Sequence, residues 1–483
     1  MRGALRRPLA RVALGACLAL GGTGAARAQG GWLDAEAGGV RWKTEAHATP
    51  SAELGELRGI WVDAFGPGFK TPDEIEALVA DAEAMNLNAL FVQVVRRGNC
   101  YCNRSTLPRA EDPALAPGFD PLEALIARAR AAGLQVHAWV VTLALWGADA
   151  PPQDPAHPYN RHGPAAVGEA NWLTVRYDGV TRPDRDVYLD PGHPAVHDYL
   201  AGVVRSLAEN YDLDGVAIDR LRYPDFNSGA LPSWGYNAVS LSRFAAETGA
   251  PIPPPPSDPV WTAWRREQVS ALMRRLYEEI KAVDPTLWVS AATIAYGAPP
   301  EDETDFASSH AYKVVLQDWA GWAQGGFLDL NLPMNYKRAD YPQAAVWFDA
   351  WNALAPRLAG EAQTAIATGL YLNDLPGSLA QLESVRRTEG VIGWVGYAYR
   401  SPERRALAGQ VPFEASLAAL ARELTALGAP FAAAAAFGRP GPAAPAAVEA
   451  PLDTLVGAPE NAPAAPWYAQ AEVGGLVEGW EIR

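Results

Sequence analysis

The sequence predicts an α/β protein, a parallel (β/α)8 TIM barrel with a short N-terminal leader and an Ala/Pro-rich C-terminal tail. Three observations predict it. Short apolar runs alternate with helix-like segments eight times between residues 57 and 427, the rhythm of a parallel sheet whose crossovers are helices. The turn after the first run, Phe65-Gly66-Pro67-Gly68-Phe69, carries a proline where an open nucleotide-binding sheet wants a glycine-rich phosphate turn. Acids, amides and aromatics gather at the C-terminal ends of the runs, where a barrel builds its active site.

The elements follow in order. Residues 57–63 read as the first strand. Thr71-Pro72-Asp73-Glu74 then opens a helix that runs to about Met85, with a Thr cap, proline at the first helical position and acids in the first turn. Residues 88–95 form the second strand, and Asp120-Pro121-Leu122-Glu123 opens a helix that ends at Gly133. Residues 134–145 form the third strand, 194–210 a helix and 213–219 the fourth strand. After a proline-rich insertion, a long helix is expected at 261–283 and the fifth strand at 287–294. Helices at 312–324, 341–358 and 379–388 alternate with strands at 328–336, 364–371 and 391–397, and a last helix spans 413–427.

The flanks differ in composition. Arg2, Arg6, Arg7 and Arg11 precede a short apolar stretch at 12–22, and Ala26-Arg27-Ala28 fits a small-x-small cleavage site. This reads as a signal peptide over 1–28. A twin-arginine signal using Arg6-Arg7 and a lipoprotein box ending at Cys17 stay open as alternatives. The expected division is signal peptide 1–28, leader 29–56, barrel 57–430 and linker or disordered tail 431–483. The protein is therefore expected to be exported, to the periplasm, cell envelope or medium, with no transmembrane span. Cys100 and Cys102 are close enough in sequence to pair only if the chain turns between them, and pairing stays open.

A formal net charge of −15 makes nucleic acid an unfavourable partner. With 17 Trp and 17 Tyr the chain is rich in rings that stack on sugar faces, although most of them serve a core equally well. No His-x-His, His-Glu-x-x-His or Gly-x-Ser-x-Gly motif occurs, so neither a metal centre nor a serine nucleophile is expected. No cofactor is expected, and oligomeric state is not readable.

The richest stretch is Leu213-Asp214-Gly215-Val216-Ala217-Ile218-Asp219-Arg220-Leu221-Arg222-Tyr223-Pro224. It places Asp219 at the end of the fourth strand with a guanidinium and a phenol close behind. Glycoside cleavage needs two carboxyl groups, one to protonate the leaving oxygen and one as nucleophile or base. Asp219 is the expected nucleophile or base, with Arg222 expected to keep it ionised. The expected partner acid is Glu301, with Asp63 as second choice. Arg96, His137, Trp139, Arg222, Tyr223, Asn335, Tyr336 and Tyr397 are expected sugar contacts, drawn from a wider set of strand-end residues that includes Arg97, Tyr296 and Tyr371. Asp329 falls at the opposite, stability-bearing end of its strand and Asp318 inside a helix, and both are set aside.

Several segments resemble the glycosyl-hydrolase-like family 10 group of bacterial envelope proteins. They are Leu57-Arg58-Gly59-Ile60-Trp61-Val62-Asp63, Gln93-Val94-Val95-Arg96-Arg97-Gly98-Asn99, Phe119-Asp120-Pro121-Leu122, His137-Ala138-Trp139, Asp186-Val187-Tyr188-Leu189-Asp190-Pro191-Gly192, the stretch around Asp219, Gln317-Asp318-Trp319 and Leu332-Pro333-Met334-Asn335-Tyr336-Lys337. The resemblance implies a β/α barrel with glycosidase action on cell-wall or other extracellular glycan, including peptidoglycan strands. The family's fourth-strand pattern has His where this chain has Ala217. Family 18 chitinases carry a similar motif, Asp-Gly-x-Asp-x-Asp-x-Glu, but Leu221 stands where their catalytic Glu belongs. The expected function is an exported glycoside hydrolase acting through a carboxylate pair; the alternative is a glycan-binding barrel that has lost catalysis.

Overall fold

The computed structural model describes residues 54–182, 186–426 and 428–440, together with the backbone of an antiparallel pair, Trp32–Asp34 against Gly39–Arg41. The expected signal peptide, most of the expected leader and the tail beyond residue 440 lie outside the described residues.

Eight parallel strands close into a barrel: β1 (Leu57–Val62), β2 (Ala89–Arg96), β3 (Gln135–Val141), β4 (Gly215–Asp219), β5 (Trp288–Ile294), β6 (Leu330–Met334), β7 (Gln363–Gly369) and β8 (Val391–Tyr397). Closure runs through β8 and β1, with Gly393 opposite Leu57 and Gly396 opposite Ile60. The helices between and after the strands are α1 (Pro72–Ala84), α2 (Pro121–Ala131), α3 (Pro194–Asn210), α4 (Pro259–Val283), α5 (Trp319–Gln324), α6 (Pro342–Leu358), α7 (Leu375–Arg387) and α8 (Phe413–Thr425). The cap chemistry works as expected: Thr71, Asp120 and Asp258 each accept a backbone N–H from the first turn of the helix they precede, and a proline follows each.

The barrel interior is filled by large inward side chains. Trp61 packs on Phe91 and on Trp139, each with ring centroids 4.9 Å apart, and Phe91 stacks on His137 at 4.5 Å. Glycines make the room. A Cβ at Gly59 would lie 2.8 Å from Phe91, and one at Gly215 would lie 2.5 Å from His137 Nδ1. At this packing density neither has space.

Two expected elements are divided. The run expected as one strand at 134–145 stops at Val141, and Ala144–Trp146 forms a separate antiparallel pair with Val187–Tyr188. The helix expected at 312–324 is two pieces, His310–Lys313 and Trp319–Gln324, separated by Leu316 in a left-handed conformation (φ 55°). Asp318 is therefore not inside a helix. It caps α5, its Oδ1 accepting Gly321 N–H at 3.0 Å. The insertion after β4 also contains a helix that its sequence did not suggest, Ala238–Thr248, packed with Tyr236, Trp261 and Trp264.

The expected boundary at residue 430 needs correction. Residues 431–440 cross the N-terminal end of the barrel. Phe431 is fully buried, and Phe437 stacks on Trp288 at 5.3 Å. Trp288 Nε1 and Gln135 Nε2 donate to the carbonyls of Gly438 and Phe437, and Arg439 pairs with Asp214 at 2.7 Å. An Ala/Pro-rich composition concealed two Phe anchors. The long loops sit at the other end. Residues after β3 and β4 supply most of that rim, while the turns entering strands at the bottom are short.

Cys100 and Cys102 are disulfide-bonded. Asn99–Cys100 pairs antiparallel with the end of β2, and the chain then turns, which supplies the bend that pairing needs.

Candidate active site

Asp219 is the last residue of β4 and is buried at the C-terminal mouth. Its Oδ2 accepts Trp139 Nε1–H at 2.9 Å and its Oδ1 accepts the Arg220 backbone N–H at 2.6 Å. Thr142 holds the main chain beneath it, donating from both N–H and hydroxyl to the Asp219 carbonyl at 3.0 and 2.8 Å. Both carboxylate oxygens thus act as acceptors of N–H donors, the role an ionised carboxylate fills.

Four rings form a wall beside it. Trp139 meets Tyr397 edge-on at 6.2 Å, Tyr397 stacks on Tyr336 at 5.4 Å, and Tyr371 lies 5.9 Å from Tyr397. Each comes from a different strand or its trailing loop: β3, β8, β6 and β7. The Tyr397–Ala398 peptide at the end of β8 is cis. Burial lifts the Tyr397 and Tyr336 hydroxyls well above the usual phenol range. For Tyr397 the negative charges of Asp63 and Asp219 add to the effect. These phenols stay protonated at neutral pH.

Asp63 follows β1 directly and is buried. Its Oδ1 accepts the backbone N–H groups of Phe65 and Gly66 at 2.8 and 3.3 Å. Glu301, the expected first partner, lies exposed in the loop after β5 and makes no hydrogen bond or ion pair among the described residues. Of the two expected partners, Asp63 is the buried one, and it follows the strand paired with β8, which carries Tyr397.

Other expected site residues are placed differently. Arg222 is buried but pairs with Asp225 Oδ2 at 3.0 Å, and Arg220 rather than Arg222 contacts Asp219. Arg220 adopts φ 55°, which ends strand alternation after Asp219 and turns its guanidinium to the Tyr188 hydroxyl at 2.7 Å. Tyr223 is buried beneath the rim beside Arg265, where a Cβ at Gly235 would lie 3.2 Å from its hydroxyl, so it is not a sugar contact. Asn335 is fully buried and donates to Phe348 O and Asn352 Oδ1, both at 2.9 Å, fastening β6 to α6 instead of reaching a ligand.

His137 points into the barrel one layer below Trp139. Its Nε2 donates to Gln135 Oε1 at 3.1 Å, and burial draws its pKa down to about 4. It belongs to the floor of the barrel, not the mouth, because inward positions alternate along β3 and His137 is two residues nearer the strand's start. Arg96 does reach the rim, with its guanidinium 3.9 Å over the Phe65 ring.

The structure adds residues that the sequence reading did not select. Asp225 accepts from Arg222 and bonds His310 Nε2 at 3.0 Å. Burial alone would raise the Asp225 carboxyl, but Arg222 and His310 hold it down to about 2. Tyr296 sits near this group, burial lifting its hydroxyl to about 12 against the pull of Arg222. Tyr188 and Asp186, quoted only as part of a resembling segment, meet Arg220 and Arg97. Their signal lay in that segment's alternate polar positions: Asp186 meets the loop after β2 and Tyr188 the loop after β4. Among the described residues no group of three His, Cys, Asp or Glu side chains is arranged to hold a metal, and no helix is long and apolar enough to cross a membrane.

Comparison with known proteins agrees with this architecture. Glycosyl hydrolase YngK of Bacillus subtilis is 22% identical over 320 residues, covering 62% of this chain and 58% of that protein. Glycosyl hydrolase DigH of Escherichia coli K12 is 24% identical over 340 residues, covering 62% of this chain and 71% of that protein. The chain thus spans less than two thirds of YngK. Among solved structures, the glycoside hydrolase domain of PgaB (BpsB) from Bordetella bronchiseptica shares the fold with a TM-score of 0.52 at 16% identity, over 75% of this chain and 98% of that one. The catalytic domain of β-amylase from Paenibacillus polymyxa gives 0.52 at 11% identity, over 76% and 98%. The family model described as Glycosyl hydrolase-like 10 matches residues 56–380, from the first barrel strand into α7, and the chain belongs to that family.

Proposed function

We propose that this protein is an exported glycoside hydrolase that cuts a polysaccharide of the cell wall, peptidoglycan strands included, or another extracellular glycan. The observation that carries the reading is Asp219, held by Trp139 at the barrel mouth beside a wall of aromatic rings, with a second buried acid, Asp63, following the strand that pairs with the one carrying Tyr397. Two carboxyl groups and stacking surfaces are the parts glycoside cleavage needs. Asp219, held by two N–H donors, serves as nucleophile or base; Asp63 serves as the proton-handling partner. Tyr336, Tyr371, Tyr397 and Trp139 bind the sugar rings. Family membership and the likeness to YngK and DigH support this class of activity.

One observation favours a second reading, a glycan-binding barrel without catalysis. Asp63 Oδ1 is engaged by two backbone amides, a turn-forming role that needs no chemistry. The test is to incubate the mature protein with peptide-free peptidoglycan strands, chitin and other β-glucans and to measure new reducing ends. Release from at least one substrate is expected. Binding with no release from any of them supports the second reading.

A further inference from the structure

Three guanidinium groups crowd the rim where β2 and β4 end. Arg96 closes β2, Arg97 follows it, and Arg220 follows Asp219. Arg97 and Arg220 both lie in the left-handed region, at φ 53° and 55°. Non-glycine residues rarely enter it, and such positions gather at functional sites. Arg97 has an acid partner, Asp186 at 3.0 Å, and a Cβ at Gly147 would collide with that pair. Arg220 has the Tyr188 hydroxyl and the neighbouring Asp219.

Arg96 is different. Among the described residues it forms no ion pair. It makes two long hydrogen bonds to neutral oxygens, Ala64 O and Tyr101 Oη, both at 3.4 Å, and its buried Nε has no partner. Asp112, which bonds the Tyr101 hydroxyl, pairs with Lys70 at 2.7 Å, and Asp63 Oδ1 takes backbone amides. The guanidinium rests on the ring of Phe65, a residue 40% exposed, so the stack sits at the rim, two residues along β1's loop from Asp63. A cation held flat on a ring with open donors, in a chain of net charge −15, matches a planar anion that accepts two parallel N–H bonds. Burial lowers the Arg97 guanidinium from its ordinary value; Asp186 opposes this, and the charges of Arg96 and Arg220 add to it, which marks the corner as positive.

We propose that Arg96 is a carboxylate-recognition point of the substrate cleft, so that the sugar bound against the β1–β2 rim carries a carboxylate. The chemistry is shared by uronic acids and by amino sugars bearing a lactyl ether. The proposal rests on the glycosidase reading and sharpens it to acidic glycans.

The experiment measures binding by titration calorimetry in the full chain carrying Asp219→Asn, which blocks turnover. The ligands are a peptide-free peptidoglycan oligosaccharide, an oligouronide, the carboxyl-reduced form of each, and a chitin oligosaccharide. The acid form of one saccharide should bind about tenfold or more tighter than its reduced form, and which of the two does so identifies the source of the carboxylate. Arg96→Gln should erase that preference; Arg96→Lys should keep part of it. Matching thermal melts establish that the variants fold. Equal affinity for acid and reduced forms, or a preference that survives Arg96→Gln, overturns the proposal and leaves the glycosidase reading standing. Failure of every saccharide to bind, with no cleavage by the unsubstituted chain, overturns both.

Discussion

Asp219 is fixed from three directions: Trp139 on Oδ2, the Arg220 amide on Oδ1 and Thr142 on the carbonyl. Hydrogen bonds to a charged group contribute about 1.5–3 kcal/mol. Trp139→Phe keeps most of the packing against Trp61 and removes one bond, so kcat on a cleaved glycan should fall by about tenfold or more, with little change in melting temperature. The two candidate partner acids separate cleanly. Asp63→Asn retains an oxygen for the Phe65 and Gly66 amides, so folding should persist while activity drops by about 10²–10⁴-fold. Glu301→Gln, on an exposed loop, should stay within about twofold of the parent. The reverse ranking in a reducing-end assay would return Glu301 to the site. At this scale Asp219, Asp63, Trp139, Tyr336 and Tyr397 were expected at strand ends, and they lie at or close to the C-terminal ends of their strands. The charge pairing expected of Arg222 goes to Asp225 instead, and Asp219 takes the backbone amide of Arg220, which lies in the left-handed region.

The β/α units place these residues through close contacts at their bases. A Cβ at Gly215 would lie 2.5 Å from His137 Nδ1 and 2.8 Å from the Trp288 carbonyl, and the second of these is backbone that cannot move aside cheaply. Gly215→Ala should therefore lower unfolding free energy by about 1–3 kcal/mol in urea titration, and it should disturb the strand that carries Asp219. The strands and capped helices were readable because apolar runs, Thr or Asp caps and first-turn prolines agree with one another. The 312–324 helix was not, because its apolar pattern continues through Leu316 while the backbone does not. Gln317 explains the interruption: its Oε1 accepts Ile294 N–H at 2.8 Å and its Nε2 donates toward Leu221 O at 3.4 Å, tying the ends of β5 and β4 together. That long-range bond has no local sequence signature.

Among the described residues, 431–440 close the floor of the barrel, and the acids lie at its other end. A chain of contacts runs from Phe437 O to Gln135 and on to His137. His137 is held neutral, with its pKa drawn to about 4 by burial, while in the unfolded chain it titrates near the ordinary value of about 6.5. The unfolded state then binds more protons between these values, so stability is full above about pH 6.5 and declines as pH falls toward 4. Denaturant midpoints should drop across that window, and His137→Gln should flatten the decline; an unchanged slope would contradict the buried, neutral histidine. The tail's part in the floor was hidden because Ala/Pro-rich composition reads as linker while two Phe residues do the anchoring. The barrel itself was legible because its evidence is spread over eight repeated units, whereas each site residue depends on one loop's conformation. The most direct test of the central claim is reducing-end release by the folded Asp219→Asn variant beside the unsubstituted protein, on whichever glycan the latter cleaves. The account predicts loss of release in the variant with an unchanged melting temperature. Full release by Asp219→Asn would contradict it.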